Sequence, residues 1–176
     1  MPKKIPDLKE RLLSCARNVL IERKNPDLTI RSVASACGVA TGTVYNYFSS
    51  KENLIESVIQ ADWAVMLGAL GRELGDATDA MTGLEIIARD LERFSERYYD
   101  VLQIPPTRLH WNDAFRSRHQ FFADSLCAHI QPLLERFNCL THPALPLFLA
   151  EALLVLATDS DKHFENVRPI FEKLLK

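Results

Sequence analysis

With 176 residues, 47% of them hydrophobic and 25% charged, the chain has the balance of an ordinary soluble globular protein, long enough for one domain or one plus a small second. The formal net charge of −2 excludes a uniformly cationic nucleic-acid glove. Four cysteines, Cys15, Cys37, Cys127 and Cys139, lie too far apart for a dense disulfide framework or a zinc ribbon and read as reduced, mostly buried thiols. The charge is uneven: up to Lys51 nine lysines and arginines face four acids, a surplus of +5, whereas the remainder carries 12 basic and 19 acidic groups, or −7. A basic head on an acidic body points to a head that meets a polyanion.

In chain order, Asp7 and Glu10 have capping-box spacing, and Leu8, Leu12, Ala16, Val19 and Leu20 recur at helical intervals, so a first helix is predicted from about Asp7 to Lys24. Asn25-Pro-Asp breaks it. Thr29 can cap a second helix that places Ile30, Val33, Ala34 and Cys37 on one face, and Gly38 stands where helices end in a left-handed residue. A third short helix is predicted near Thr41, with Val44, Tyr47 and Phe48 to one side and Gly42, Tyr45 and Asn46 turned away; Phe48 reads as core, and Tyr47 divides between core and a phosphate contact. Ser49-Ser-Lys-Glu52 reads as a capping box opening a long fourth helix towards Leu74. After Gly75-Asp-Ala-Thr-Asp79, Thr82 to Glu85 reads as a third capping box before an amphipathic stripe of Leu84, Ile87, Ala88, Leu91, Phe94 and Tyr98, which Ile104-Pro-Pro106 ends. A helical stretch from Thr107 to about Asn138 is predicted to split near Asn112 and bend at Pro132. Thr141-His-Pro143 starts an apolar helix to about Ala157, and the last helix is predicted from near Asn166, which keeps Pro169 in its first turn. No β-alternation occurs, so the fold class is all-α: a three-helix head with a helix-turn-helix, residues 1–50, and a helical bundle, residues 51–176.

Residues 29–48 supply what a DNA-reading helix-turn-helix needs: a bracing helix, a tight turn and a second helix with an exposed side. Short side chains at Thr41, Gly42 and Thr43 let the backbone approach base edges, the Tyr45 ring can lie against thymine methyl groups, and Asn46 can donate or accept. Lys51, at the start of the next helix, is placed for a phosphate, with the backbone N–H groups there adding to the attraction.

The run from Leu28 to Leu54, and most specifically Gly38-Val39 through Gly42-Thr-Val-Tyr-Asn-Tyr-Phe48 to Lys51, resembles the N-terminal DNA-binding domain of the tetracycline-repressor (TetR) family, over about 50 residues including the first helix. The resemblance implies a homodimeric one-component transcription factor, usually a repressor, that binds a palindromic operator and releases it when a small molecule enters the C-terminal domain. It places Thr29, Tyr47 and Lys51 at phosphate contacts, Arg31, Thr41, Gly42, Thr43 and Tyr45 at base-proximal or groove-lining positions, and Asn46 against the operator backbone. One departure stands out. Ala40 occupies a position that is often Ser or Thr in the family, so the recognition helix is expected to lack its cap, at a cost of about 1 kcal/mol.

Past about Ser57 the resemblance is architectural only, and it carries no ligand over. The body holds an aromatic set in which Trp63, Phe94, Tyr98, Trp111, Phe115 and Phe122 are the candidate walls of an effector pocket, against the plainer reading that such rings are core. The segment from Pro143 to Ala157 is apolar nearly all round, so with the last helix it can form a four-helix dimer interface; the candidates are Leu149, Leu153, Leu156, Ile170, Phe171 and Leu174. Cys127 and His129 point to nearly opposite faces of a helix, which argues against a metal site with Cys139 and His142. No phosphate-binding glycine loop, nucleophile elbow or zinc-protease motif occurs, so neither an enzyme nor a cofactor is expected. The N-terminus lacks an apolar stretch behind its charges and no run is long enough to span a bilayer, so the expected location is the cytoplasm, away from membranes. Two other classes fit the same residues: a DNA-binding regulator without a small-molecule effector, and a helical interaction module that does not bind DNA.

Overall fold

The computed structural model describes residues 7–22, 28–102, 113–159 and 163–176, all of whose regular elements are helices. They are α1 (Leu8–Glu22), α2 (Ile30–Cys37), α3 (Thr41–Tyr45), α4 (Lys51–Gly75), α5 (Ala80–Leu102), α6 (Asp113–Arg136), α7 (Leu145–Ala157) and α8 (Phe164–Leu174). The chain divides into two compact units, residues 1–64 with 98–102 and residues 65–97 with 103–176.

In the first unit the apolar faces of α1 and α2 close over Val44, Phe48, Leu54, Val58 and Ile59, all at most 1% exposed. Burying a ring the size of Phe48 contributes about 2–3 kcal/mol relative to leaving it in water. The unit also buries a polar hub. Asp62 of α4, 6% exposed, accepts from Arg17 Nε of α1 at 2.6 Å through Oδ1, and the Arg17 Nη2 group pairs with the same oxygen. The Tyr98 hydroxyl, from the last turns of α5, donates to Asp62 Oδ2 at 2.6 Å. A carboxylate this far from water persists only with such donors, and here they come from two other helices.

In the second unit α6 and α7 pack along their lengths, and Leu84, Ile87, Leu126, Ile130, Leu134 and Leu149 form its fully buried centre. α5 and α6 approach closely at Gly83, where an added Cβ would lie 2.5 Å from Leu133 Cδ2. Arg136, in the last turn of α6, donates to the carbonyls of Leu74, Gly75 and Ala77 at 3.0, 3.0 and 3.1 Å. It thereby satisfies the orphan carbonyls at the end of α4. Arg168 of α8 pairs with Glu85 of α5.

Several helix ends differ from the sequence reading, each for a local reason. The first helix is described from Leu8 to Glu22, and Asp7 enters it with a left-handed φ of 59°. The fourth helix is capped by Ser50, whose Oγ accepts from Asn53 N–H at 3.1 Å, while Asn53 Oδ1 accepts from Ser49 N–H at 3.3 Å, so the cap is Ser50 and not Ser49. α5 begins three residues earlier than Thr82 suggests: Asp79 is the cap, accepting from the Thr82 N–H at 2.8 Å and from the Thr82 hydroxyl at 3.0 Å. These bonds, the backbone one foremost, hold the Asp79 carboxyl below the usual aspartate range. α7 starts at Leu145 with Pro146 in its first turn, while Thr141, read as the starting signal, donates to the Leu174 carbonyl at 3.2 Å. α6 continues through Pro132. α8 starts at Phe164, which puts Pro169 past the first turn. The split predicted near Asn112 lies outside the described residues.

α4 is long and apolar enough to cross a bilayer by length and composition, which corrects the expectation that no run is long enough. Its Leu54, Val58, Ile59, Trp63, Leu70 and Leu74 are buried within the protein.

Candidate nucleic-acid interface

Thr29 ends an extended segment with φ −119° and ψ 151°, and its hydroxyl accepts from Ser32 N–H at 3.0 Å. Ser32 Oγ in turn accepts from Thr29 N–H at 3.1 Å, so two orphan donors at the start of α2 are satisfied reciprocally. At the other end Gly38 takes φ 67° and ψ 34°, and Val39 N–H reaches back to the Ala34 carbonyl at 2.9 Å. A residue with a Cβ adopts that left-handed backbone only at a cost of about 1–2 kcal/mol, which is why glycine makes the turn.

The turn delivers α3, which is five residues long. Ala40 precedes it in an extended conformation and gives no side-chain cap, as the sequence predicts. What fixes the helix is its underside, where Val44 and Phe48 are 0% and 1% exposed. The same geometry turns Tyr45 outward, at 53% exposure, and leaves Tyr47 at 37%, so Tyr47 is a surface ring and not core. Gly42 and Asn46 are exposed and Thr43 is half-buried. A Cβ added at Gly42 meets nothing within 4 Å.

Between the starts of α2, α3 and α4 lies an open cleft of about 500 Å³, lined by Thr29, Ile30, Arg31, Thr41, Tyr45, Ser49, Ser50, Lys51 and Glu52. Five of the nine residues singled out from the sequence, Thr29, Arg31, Thr41, Tyr45 and Lys51, thus meet in one concavity. Gly42, Thr43, Asn46 and Tyr47 are not among its lining residues. Ser49, Ser50 and Glu52 were missed as site residues because their capping pattern gave them a purely structural reading. The Glu52 carboxyl is held below its ordinary range, chiefly by a hydrogen bond from its own backbone N–H and then by Ser50, so the cleft combines two cations, one anion and several hydroxyls. Short donors on converging helix starts, a projecting ring and two cations suit an anionic backbone with flat, methyl-bearing edges beside it.

The other candidates fall differently. Trp63 and Tyr98 are buried in the first unit and Phe94 in the second; Phe122 of the second unit is half-buried, and Trp111 and the Phe115 side chain lie outside the described residues. Tyr98 has a polar role in the Asp62 hub, which its place in an aromatic stripe had concealed. Of the candidate interface residues, Leu149, Leu153 and Phe171 are at most 2% exposed. They face the core of their own unit and are corrected to core residues. Leu156 and Leu174 are half-buried. The outward apolar side consists of Leu147, Phe148 and Val155 on α7 and Ile170 on α8, each 40% exposed or more. His129 donates from Nδ1 to the Ser125 carbonyl at 2.9 Å, and among the described residues no three His, Cys, Asp or Glu side chains cluster as metal ligands.

The family model described as bacterial regulatory proteins, tetR family, matches residues 12–58. Among curated proteins, the chain is 29% identical over 102 residues to the uncharacterized HTH-type transcriptional regulator YvdT of Bacillus subtilis, covering 58% of this chain and 53% of that one. It is 31% identical over 81 residues to the HTH-type transcriptional repressor KstR2 of Mycolicibacterium smegmatis, covering 43% and 38%. The aligned regions thus span about half of these relatives or less. Among solved structures, the fatty acid degradation regulator FadR of Bacillus halodurans is 21% identical with a TM-score of 0.62, covering 98% of this chain and 96% of that one. The transcriptional regulator SCO7518 of Streptomyces coelicolor is 17% identical with a TM-score of 0.70, covering 97% and 99%. FadR of Bacillus subtilis, in complex with stearoyl-CoA, is 14% identical with a TM-score of 0.52, covering 94% and 95%. At these identities the structures establish a shared fold.

Proposed function

Because residues 12–58 match the model of the tetR family of bacterial regulatory proteins, we propose that the chain is a homodimeric repressor of that family whose residues 1–50 read a palindromic operator and whose remainder pairs two copies and senses a small molecule. The observation that carries this reading is the cleft in which Thr29, Arg31, Thr41, Tyr45 and Lys51 converge beside the exposed Gly42. Two copies joined through α7 and α8 would present two such heads, and Phe148 with Val155, seven residues apart on one stripe of α7, and Ile170 of α8 are the outward apolar residues available for that contact. The fatty-acid regulators among the structural neighbours support an effector with a long apolar part. Such an effector releases DNA only by favouring a dimer whose recognition helices no longer match half-sites one helical turn, about 34–36 Å, apart.

Selection from a random duplex pool is expected to return an inverted repeat; recovery of no repeat favours the interaction-module alternative. The enriched duplex then tests the cleft through Gly42→Ala. The free chain has room for the methyl group and gains up to about 1 kcal/mol of helix propensity, so its thermal midpoint is expected to hold or rise. Anisotropy titration is expected to show operator affinity falling at least about tenfold, since the methyl occupies the space in which the backbone meets base edges. Unchanged affinity would remove α3 from the contact surface.

A further inference from the structure

Cys15 lies on α1 and Cys37 is the last residue of α2. Cys37 Sγ donates to the Arg11 carbonyl of α1 at 3.5 Å, one helical turn before Cys15 and on the same face, and Cys15 is near enough to help push the Cys37 thiol up. Cys37 is 8% exposed while Cys15 is half-buried, so one sulfur of the pair is reachable from solvent and the other waits behind it. The Arg11 guanidinium, which donates to the Cys37 carbonyl at 3.5 Å, brings a positive charge to the same place. Cys127 and Cys139 are far away in sequence and belong to the second unit.

We propose that Cys15 and Cys37 are a reversible thiol-oxidation site, closing to an intramolecular disulfide in the presence of a hydroperoxide, and that closure disturbs the turn carrying α3. The Cys15 thiol gives up its proton and its thiolate attacks a peroxide oxygen; the O–O bond breaks, the leaving hydroxide (or alkoxide) takes up that proton, and a sulfenic acid and one water (or alcohol) result. Cys37 then attacks that sulfur, its proton leaves with the departing hydroxyl as a second water, and the S–S bond forms. The two sulfurs together supply the two electrons that reduce the peroxide, and a dithiol reductant reverses the change.

Burial first, and then the neighbouring Cys15, push the Cys37 thiol up to about 12, so Cys37 is the resolving sulfur and its attack the slow step. A disulfide holds its sulfurs at about 2.05 Å, closer than any hydrogen-bonded pair. Closure is expected to draw the end of α2 towards α1, and Gly38 and Val39, tied to Ser35 and Ala34 by backbone hydrogen bonds of 3.1 and 2.9 Å, to move with it. α3, five residues long and without a side-chain cap, has little of its own to resist.

The effect on DNA rests on the operator-binding reading above; the oxidation chemistry does not. The full chain is treated with hydrogen peroxide, alkylated with iodoacetamide and digested. The expected result is a cross-linked Cys15–Cys37 peptide pair, about 2 Da lighter than the sum of its reduced partners, with both sites protected from alkylation and restored by dithiothreitol. Independent alkylation of both cysteines after peroxide treatment overturns the proposal. Oxidised chain is expected to bind the enriched duplex at least tenfold more weakly, with recovery on reduction, and Cys15→Ser and Cys15→Ala to be insensitive to peroxide. Cross-linking with unchanged affinity overturns the coupling to α3. Reduced chain that binds no duplex counts against the operator reading alone, because the peptide masses still decide the oxidation site.

Discussion

Tyr45→Ala and Lys51→Ala are each expected to weaken operator binding by one to three orders of magnitude, and Tyr45→Ala to leave the thermal midpoint of the free chain within about 2 °C. The Tyr45 side chain is 53% exposed, and substitutions at such surface positions shift stability by about 0.5 kcal/mol or less. In a dimer every substitution removes two contacts, and a single good base contact is worth about 1–3 kcal/mol of discrimination. The two losses differ in kind. Tyr45→Ala should narrow the gap between the enriched duplex and a scrambled one, because a ring against base edges carries sequence information. Lys51→Ala should weaken both duplexes alike and flatten the slope of log K against log salt by about two for a dimer, since each phosphate contact contributes about 0.9. Anisotropy titrations of both variants at three salt concentrations check this pair, and a Tyr45→Ala chain that keeps full affinity would take the ring out of the site.

The second large effect lies in the buried hub of the first unit. Asp62→Ala is expected to cost about 2–4 kcal/mol, read as a shift in the urea midpoint of unfolding. Removing one member of a buried ion pair costs about 3–5 kcal/mol, and the lower end applies because the Arg17 side chain is 32% exposed and regains water. Tyr98→Phe removes one hydrogen bond to a charged acceptor and is expected to cost about 1.5–3 kcal/mol. The double variant should cost clearly less than the sum, with a coupling of at least about 1 kcal/mol, because both act through the same carboxylate. Additive losses would show that the 2.6 Å contact from Tyr98 to Asp62 contributes nothing in solution.

Much of the head was legible because its signals are local. Thr29 meets Ser32 three residues on, Gly38 ends α2 in the left-handed region, and Ala40 leaves α3 uncapped; each follows from the conformational preference of one residue. Misplaced helix starts came from neighbouring positions with similar chemistry: Ser49 and Ser50 both offer hydroxyls, and Asp79 and Thr82 are both good caps, bonded here to each other. Tertiary facts were beyond reach. Nothing within a turn of Tyr98 announces a carboxylate 36 residues away, so the ring read as a pocket wall. On α7 nearly every position is apolar, and sequence alone could not tell Leu149 and Leu153, which pack inward, from Phe148 and Val155, which face out. Periodicity fails where there is no polar side to set a direction.

DNA is expected to lie in the cleft formed by the starts of α2, α3 and α4. Amide hydrogen exchange of the full chain, with and without the enriched duplex, tests it directly. Slowed exchange is expected only at residues 29–31, 41–47 and 50–53, on the face that carries Tyr45 and Lys51. Protection confined to residues 65–97 and 113–159, with the cleft amides exchanging as fast as in the free chain, would contradict it.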